Sequence, residues 1–297
     1  MFPAIANYGS TQTMFTPDLL HDKKILITGG GTGLGKSIGR RYLELGAELV
    51  ICGRRKEVLD ATAEEFRAAI NGARVTTITA DVRDAESVEA MMDAIWRDGP
   101  LDLLLNNAAA NFIARTETLS PRAVDAVLDI VLHGSFYCTI AVGKRWIDAG
   151  RQGNVISTVS TPTMTGSAFT VPSAAAKAGV LAMTRSLAVE WGPKGIRLNA
   201  VAPGLFPTEG AWEQLYPPGS QVESQDRSVP LRRFGDHAEL ADLYAYLASD
   251  GSGYITGDMI VIDGGRWMQG VGGPTFRAMQ DWTDEQWDAM RAHARKG

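Results

Sequence analysis

The feature that most restricts the fold of this 297-residue chain is "TGGGTGLG" at positions 28–35, which follows the apolar run "KILI" and leads into "GKSIGRRYLELG", a segment of helical period. Strand, glycine-rich turn and helix in that order open a βαβ unit. Glycines there let the backbone approach a pyrophosphate closely, and the helix N-terminus offers it unpaired N–H groups and the positive end of a dipole. A glycine-rich turn alone is weak evidence. Set between a strand and a helix, it makes Gly29, Gly31, Thr32, Gly33, Leu34 and Gly35 a candidate dinucleotide cradle.

The rest of the chain repeats that alternation. Short runs rich in Val, Ile and Leu ("KILITG", "AELVICG", "RVTTITA", "LDLLLNNA", "GNVISTVS", "IRLNAVAPG", "DMIVIDGG") are separated by longer helical stretches, one of them the unbroken "PRAVDAVLDIVLHGSFYCTIAVGKRWIDAG". This order predicts an α/β protein: a doubly wound Rossmann fold with a seven-stranded parallel sheet, helices on both faces and ligands at the carboxyl ends of the strands. No linker-like break divides it, so residues 1–297 read as one domain, with an N-terminal extension at 1–22 and a C-terminal tail at 281–297. Residues 204–236 hold four prolines and read as a substrate lid, because so long an irregular connection is rarely a simple one. In the tail, a short helix is expected to begin near Thr283, with Asp284 and Glu285 in its first turn.

Composition narrows the partners. A net charge of −5 and a pI near 5.5 argue against nucleic-acid binding, which needs a basic patch. The longest apolar runs are too short to cross a bilayer, so no membrane span is expected. "MFPAIANYGSTQTMFTPDLLHDKK" lacks the basic start and long apolar stretch of a signal peptide, and a cytoplasmic location is the expectation. Cys52 and Cys138 read as core thiols, and His21, His133, His237 and His293 show no paired metal spacing, so no metal is expected.

The second strand ends "ICGRR". Where an acid would bind the ribose 2′-hydroxyl of NAD, this chain has Gly53 followed by Arg54 and Arg55, an arrangement that suits the 2′-phosphate of NADP. Asp81, after the third strand in "ADV", is placed at the adenine side, and "NNAA" from Asn106 closes the pocket floor.

Taken together, "TGGGTGLG", "ADV", "NNAA", Ser160, Lys177 and "PG" at Pro203 and Gly204 resemble the short-chain dehydrogenase/reductase family, in matching order across nearly the whole chain. The resemblance implies that the glycine turn, Arg54, Arg55, Asp81, Val82, Asn107, Lys177, Pro203, Gly204 and Leu205 hold NADP. The family's usual acid-base set is a Ser, a Tyr thirteen residues later and a Lys four beyond; here those places hold Ser160, Ser173 and Lys177. "NNAAANF", "LDIVLHGSF", "TGSAFTVPSAAAKAGV", "PGLFPTEGAW" and "TDEQWD" are similar to the 2,4-dienoyl-CoA reductases, which also lack the ordinary Tyr. That branch implies a homotetrameric NADPH enzyme reducing 2,4-dienoyl-CoA to 3-enoyl-CoA in the oxidation of unsaturated fatty acids, with acyl-CoA as substrate.

The chemistry accounts for the missing phenol. Reducing a ketone creates an alkoxide that needs a proton at once, whereas reducing a conjugated thioester creates a dienolate whose charge spreads to the thioester oxygen. Such a site needs hydrogen-bond donors first. Mitochondrial-type members supply a Tyr and an Asn there, and aligned on "TGS" and "HG" those places hold Pro162 and His133. Proline has no donor, so His133 becomes the candidate donor, against its reading as a structural histidine on a long helix. Ser173 stands behind Pro172, where it reads equally as a helix N-cap. Two alternatives stay open: a carbonyl or alcohol oxidoreductase with a displaced donor, Tyr216 or His133, and a non-catalytic NADPH-binding subunit. Arg83 and Arg115 are candidates for the CoA phosphates.

Overall fold

In the computed structural model the seven apolar runs are seven strands: β1 (Lys24–Thr28), β2 (Glu48–Gly53), β3 (Arg74–Thr79), β4 (Leu103–Asn106), β5 (Gly153–Thr158), β6 (Ile196–Pro203) and β7 (Met259–Ile262). The structure describes residues 15–208, 228–270 and 283–286. All neighbours pair in parallel, in the order β3-β2-β1-β4-β5-β6-β7. The order reverses direction between β1 and β4, so a crevice opens at their carboxyl ends. The expected doubly wound sheet is therefore present.

Among the described residues the helices between the strands are α1 (Gly33–Glu44), α2 (Lys56–Ala69), α3 (Ala85–Arg97), α4 (Pro121–Leu128), α5 (Gly134–Asp148), the one-turn α6 (Pro162–Thr165), α7 (Val171–Trp191) and α8 (His237–Ala248). Ile25 and Ile27 of β1 pack under α1, α2 and α8, while Leu26 joins Met92, Trp146 and Leu198 on the other face. Both faces of β1 are covered, which is why Ile25, Leu26 and Ile27 are apolar in succession instead of alternating with polar residues.

Three features differ from the sequence reading. The long helix after β4 is not uniform: a π-helical turn, Asp129–His133, sits between α4 and α5 and offsets the faces on either side of it. That combined rod, Pro121–Asp148, is 28 residues and apolar enough to cross a membrane by length and composition, which the short apolar runs did not suggest. Half of its most apolar 18-residue stretch is buried inside the protein, and Cys138, Val142 and Trp146 of the rod are fully buried. Finally, α8 is a helix that the sequence reading passed over. Its Asp236 cap accepts from Ala238 N, and Glu239 accepts from Asp236 N at 2.9 Å, completing a capping box.

At the chain's start, Leu20 is fully buried and its N–H bonds to the Leu45 carbonyl, so the end of the expected extension is part of the core. Residues 209–227, most of the expected lid, and Tyr216 with them, lie outside the described residues. In the tail, residues 284–286 are helical, and Thr283 N donates to Gln286 Oε1 at 2.8 Å, so a helix begins where the sequence places it. Cys52 and Cys138 are free and buried, and burial pushes the Cys52 thiol up to about 12, so it stays an unreactive thiol at neutral pH.

Candidate active site

The cofactor end is built by groups that hold one another. Thr28 closes β1, and its hydroxyl accepts from Asn107 N and Ala108 N, both at 3.0 Å, while the Asn107 side chain donates back to the Thr28 and Gly29 carbonyls. Thr62 on α2 donates to the Gly31 carbonyl at 2.8 Å. These bonds fix a turn in which Gly33 takes the left-handed φ of +54°. A Cβ on Gly35 would lie 2.5 Å from Asn107 Nδ2 and 2.6 Å from the Gly29 carbonyl oxygen, so only glycine fits there.

What the turn leaves open is the N-terminus of α1. Thr32 gives no side-chain cap and no acidic residue stands in the first turn, in contrast to α3, α4 and α8, which Asp84, Ser120 and Asp236 cap. The N–H groups of Gly33, Leu34 and Gly35 have no intrahelical acceptor, while the Leu34 side chain packs back on the core. This is a built anion site, and a nicotinamide nucleotide's pyrophosphate fits it.

A cleft runs from that turn past Gly53, Arg54 and Arg55 to Asp81 and Val82, so the structure brings together the residues expected at the adenosine end. The Arg54 and Arg55 side chains are exposed and make no hydrogen bond or ion pair among the described residues, although the charge of Arg54 acts on Asp81. Asp81 is held by Arg83, whose Nε lies 2.9 Å from Oδ1, and this hydrogen-bonded pairing keeps the carboxyl below the usual carboxylate range. Arg83 is thereby engaged at the adenosine side. Arg115 is exposed, in the run after β4.

Across the sheet, Lys177 Nζ donates to the Val159 carbonyl at 3.2 Å, next to Ser160. Burial pushes the Lys177 ammonium down to about 8. Ser173 lies one turn earlier on the same helix face and is itself buried. It is not the N-cap: α7 begins two residues earlier, behind Thr170. Neither the Ser160 nor the Ser173 hydroxyl bonds to any described residue. Pro162 opens α6, where a missing N–H costs nothing, and the Thr163 hydroxyl donates to the Ser160 carbonyl. Pro203 ends β6 opposite Ile262, Gly204 N bonds to the Ile262 carbonyl at 2.9 Å, and the Leu205 carbonyl accepts from Gly235 N at 3.0 Å.

His133 stands apart from this group. Its Nδ1 lies 2.9 Å from Asp129 Oδ1, its ring stacks on Tyr137 at 6.1 Å, and the side chain is half exposed. The faces of the rod explain its placement: Val131 packs with Val159 and Ala176, and Leu132 meets α7 at Gly179, whereas Ile130 and Tyr137 pack with Val82 and Val88. His133 shares the Asp129–Tyr137 face, and no described contact joins it to Lys177, Ser160 or Ser173.

Sequence reasoning missed Thr62, which fastens the turn; Thr208, whose methyl carbon lies 3.7 Å from where a Cβ on Gly33 would sit; and His237. The "GDHAEL" capping-box spacing marks the start of α8 and with it His237. Nothing local marks Thr62.

Comparison with known proteins places this geometry. Residues 29–266 match a family model described as enoyl-(acyl carrier protein) reductase. A Bacillus subtilis protein named "Probable 2,4-dienoyl-CoA reductase [(2E)-enoyl-CoA-producing]" is 42% identical over 251 residues, 84% of this chain and 98% of the relative. A Caenorhabditis elegans protein named "Probable 2,4-dienoyl-CoA reductase 3 [(3E)-enoyl-CoA-producing]" is 39% identical over 273 residues, 90% of this chain and 88% of the relative. Among solved structures, a short chain dehydrogenase from Bacillus anthracis is similar at a TM-score of 0.74 and 41% identity, covering 82% of this chain and 96% of that one.

Proposed function

The chain belongs to the short-chain dehydrogenase/reductase family, and from that premise we propose that this oxidoreductase uses NADPH to reduce 2,4-dienoyl-CoA thioesters to 3-enoyl-CoA. The observation that carries the reading is the polar group around Lys177. One turn ahead of the lysine stands Ser173 instead of a tyrosine, and Ser160 follows the Val159 carbonyl that the lysine bonds; neither hydroxyl has a partner among the described residues.

When bound, the nucleotide supplies a hydride to the δ carbon of the conjugated thioester. The protein's own residues must then hold the negative charge that spreads to the thioester oxygen and pass a proton to carbon. Ser160 and Ser173 offer hydroxyl donors for the oxygen, and the Lys177 ammonium, with hydrogens left over after its bond to Val159, adds positive charge. Protonation at the α carbon gives the 3-enoyl product and at the γ carbon the 2-enoyl product, and the relatives' names divide on this point. Exposed Met164 on α6 and Val171 on α7 lie close in the chain to Ser160 and Ser173, the Ala114 N bond to the Phe169 carbonyl at 2.9 Å ties the segments of exposed Ile113 and Phe169, and apolar side chains there suit an acyl chain. The preference for NADPH is supported by Arg54 and Arg55, which stand exposed on the adenosine cleft with no side-chain hydrogen bond to a described residue. A homotetramer belongs to the same reading on the resemblance alone, and light scattering after gel filtration measures it.

The test is NADPH oxidation, followed by the loss of its near-ultraviolet absorbance, with a 2,4-dienoyl-CoA, a 2-enoyl-CoA and simple ketones, and NMR of the product. Dienoyl-CoA turnover well above the others, with a 3-enoyl product, is expected. Faster ketone reduction would leave the family intact and overturn the substrate.

A further inference from the structure

His237 opens α8, yet its ring reaches two other parts of the molecule. Nδ1 lies 2.7 Å from the Ser37 hydroxyl on α1, and Nε2 lies 2.7 Å from the Pro207 carbonyl oxygen beyond β6. A carbonyl only accepts, so Nε2 carries a hydrogen and donates to Pro207. Ser37 Oγ also lies 3.3 Å from the Gly33 carbonyl of the glycine turn. With a neutral ring, Ser37 donates to Nδ1; with a charged ring, Nδ1 donates to Ser37, which then donates to Gly33. Both contacts survive in either charge state, so the link is one of geometry.

The backbone of His237 is held without its ring. The capping box of Asp236 and Glu239 fixes the start of α8, and Arg233 pairs with Glu239 at 2.6 Å. The ring's two bonds therefore serve the other partners. Pro207 precedes Thr208, the residue whose side chain stands over Gly33, and Gly235 N bonds to the Leu205 carbonyl in the same run at 3.0 Å.

We propose that His237 is a positioning residue for the nicotinamide nucleotide: by tying Pro207 to Ser37 it holds the β6 exit against the first turns of α1 and so prebuilds that wall of the cofactor cleft. The inference rests on the reading that the glycine turn takes the nucleotide. Preorganisation acts on affinity, because a wall already in place need not be ordered on binding.

Titration calorimetry of NADPH and NADH tests it with the wild-type protein, His237→Ala, His237→Gln, Ser37→Ala and the Ser37→Ala/His237→Ala double variant. Loss of two ordinary hydrogen bonds predicts that His237→Ala weakens both nucleotides about tenfold and Ser37→Ala about threefold. The double variant should lose less than the sum of the two single losses, since both substitutions break the Ser37–His237 link. Gln keeps an N–H for Pro207 and should recover part of the affinity. The melting temperature without nucleotide should stay within a few degrees, because the capping box remains. Wild-type constants in His237→Ala, additive losses in the double variant, or Gln no better than Ala would each overturn the assignment while the cofactor reading stands. Failure of the wild-type protein to bind either nucleotide would overturn both.

Discussion

The two halves of the crevice treat their polar groups in opposite ways. On the β1 side, Thr28, Asn107 and Thr62 are bonded to the chain itself, and what they leave open is backbone, the N-terminus of α1. On the β5 side, side chains are left open: Ser160 and Ser173 have no described partner, and Lys177 has one. On the proposed function, the difference follows from the ligands each half would meet. A pyrophosphate is a constant shape that fixed N–H groups can hold, so that half is finished before binding. Charge that develops on a reacting thioester needs donors that are not already occupied, and a half built for it carries unpaired groups at some cost in stability.

Removing Lys177 strains this contrast most. Lys177→Met should lower turnover about 10³-fold and yet raise stability at pH 7. The sign follows from linkage: burial holds the folded-state value near 8, below the ordinary 10.5, so the charged form is disfavoured in the folded protein. That penalty, on the order of 2 kcal/mol, is full below about pH 8 and fades as pH rises toward about 10.5. Denaturant melts of both proteins at about pH 7, 9 and 10.5 should show the variant's advantage shrinking in that order. An advantage that grows with pH would mean that Lys177 is charged and well solvated in the folded protein, and the contrast between the halves would lose its main support.

Next in size is the choice of oxygen donor. Ser173→Ala should lower turnover about 10²-fold with little change in nucleotide affinity, the pattern for a group that acts in the transition state. His133→Ala should cost about threefold or less, because Asp129 and Tyr137 already engage its ring. Single-turnover rates at saturating NADPH separate them. The reverse order would return the donor's role to His133 and require that the Asp129 contact break when substrate binds.

How much of this was legible in the sequence tracks the same contrast. The strands and the glycine turn were readable because backbone requirements leave local marks: continuous apolar runs for doubly covered strands, glycine where a Cβ would strike Asn107. Lys177 and Ser160 were readable through spacing that fits a family. The place of His133 was not, since a π turn changes which residues share a face, and "LDIVLHGSF" carries no local sign of the extra residue in the turn. Helix α8 was readable and was missed: the Asp236–Glu239 spacing ahead of "LADLYAYLA" is a capping box before an apolar run. The link from His237 to Ser37 joins residues two hundred positions apart, and no local pattern encodes a contact of that range.

The smallest expected effect tests whether the finished half is finished for NADPH. Asp81 is hydrogen-bonded to Arg83 and acts on Arg54 only through space, so the Arg54 and Arg55 side chains stand exposed on the adenosine cleft with no hydrogen bond or ion pair to a described residue. A 2′-phosphate would give both guanidiniums charge-assisted hydrogen bonds, and the hydroxyl of NADH would not. Because the site faces water, each bond is worth less than its buried counterpart and weakens with salt. Replacing both arginines with alanine should therefore raise the Michaelis constant for NADPH about tenfold while that for NADH moves about twofold or less. Added salt should narrow the gap between the two nucleotides in the wild-type protein and leave it nearly unchanged in the variant. Equal losses for both nucleotides would mean that Arg54 and Arg55 shape the cleft without reading the phosphate, and the preference for NADPH would have to come from elsewhere along it.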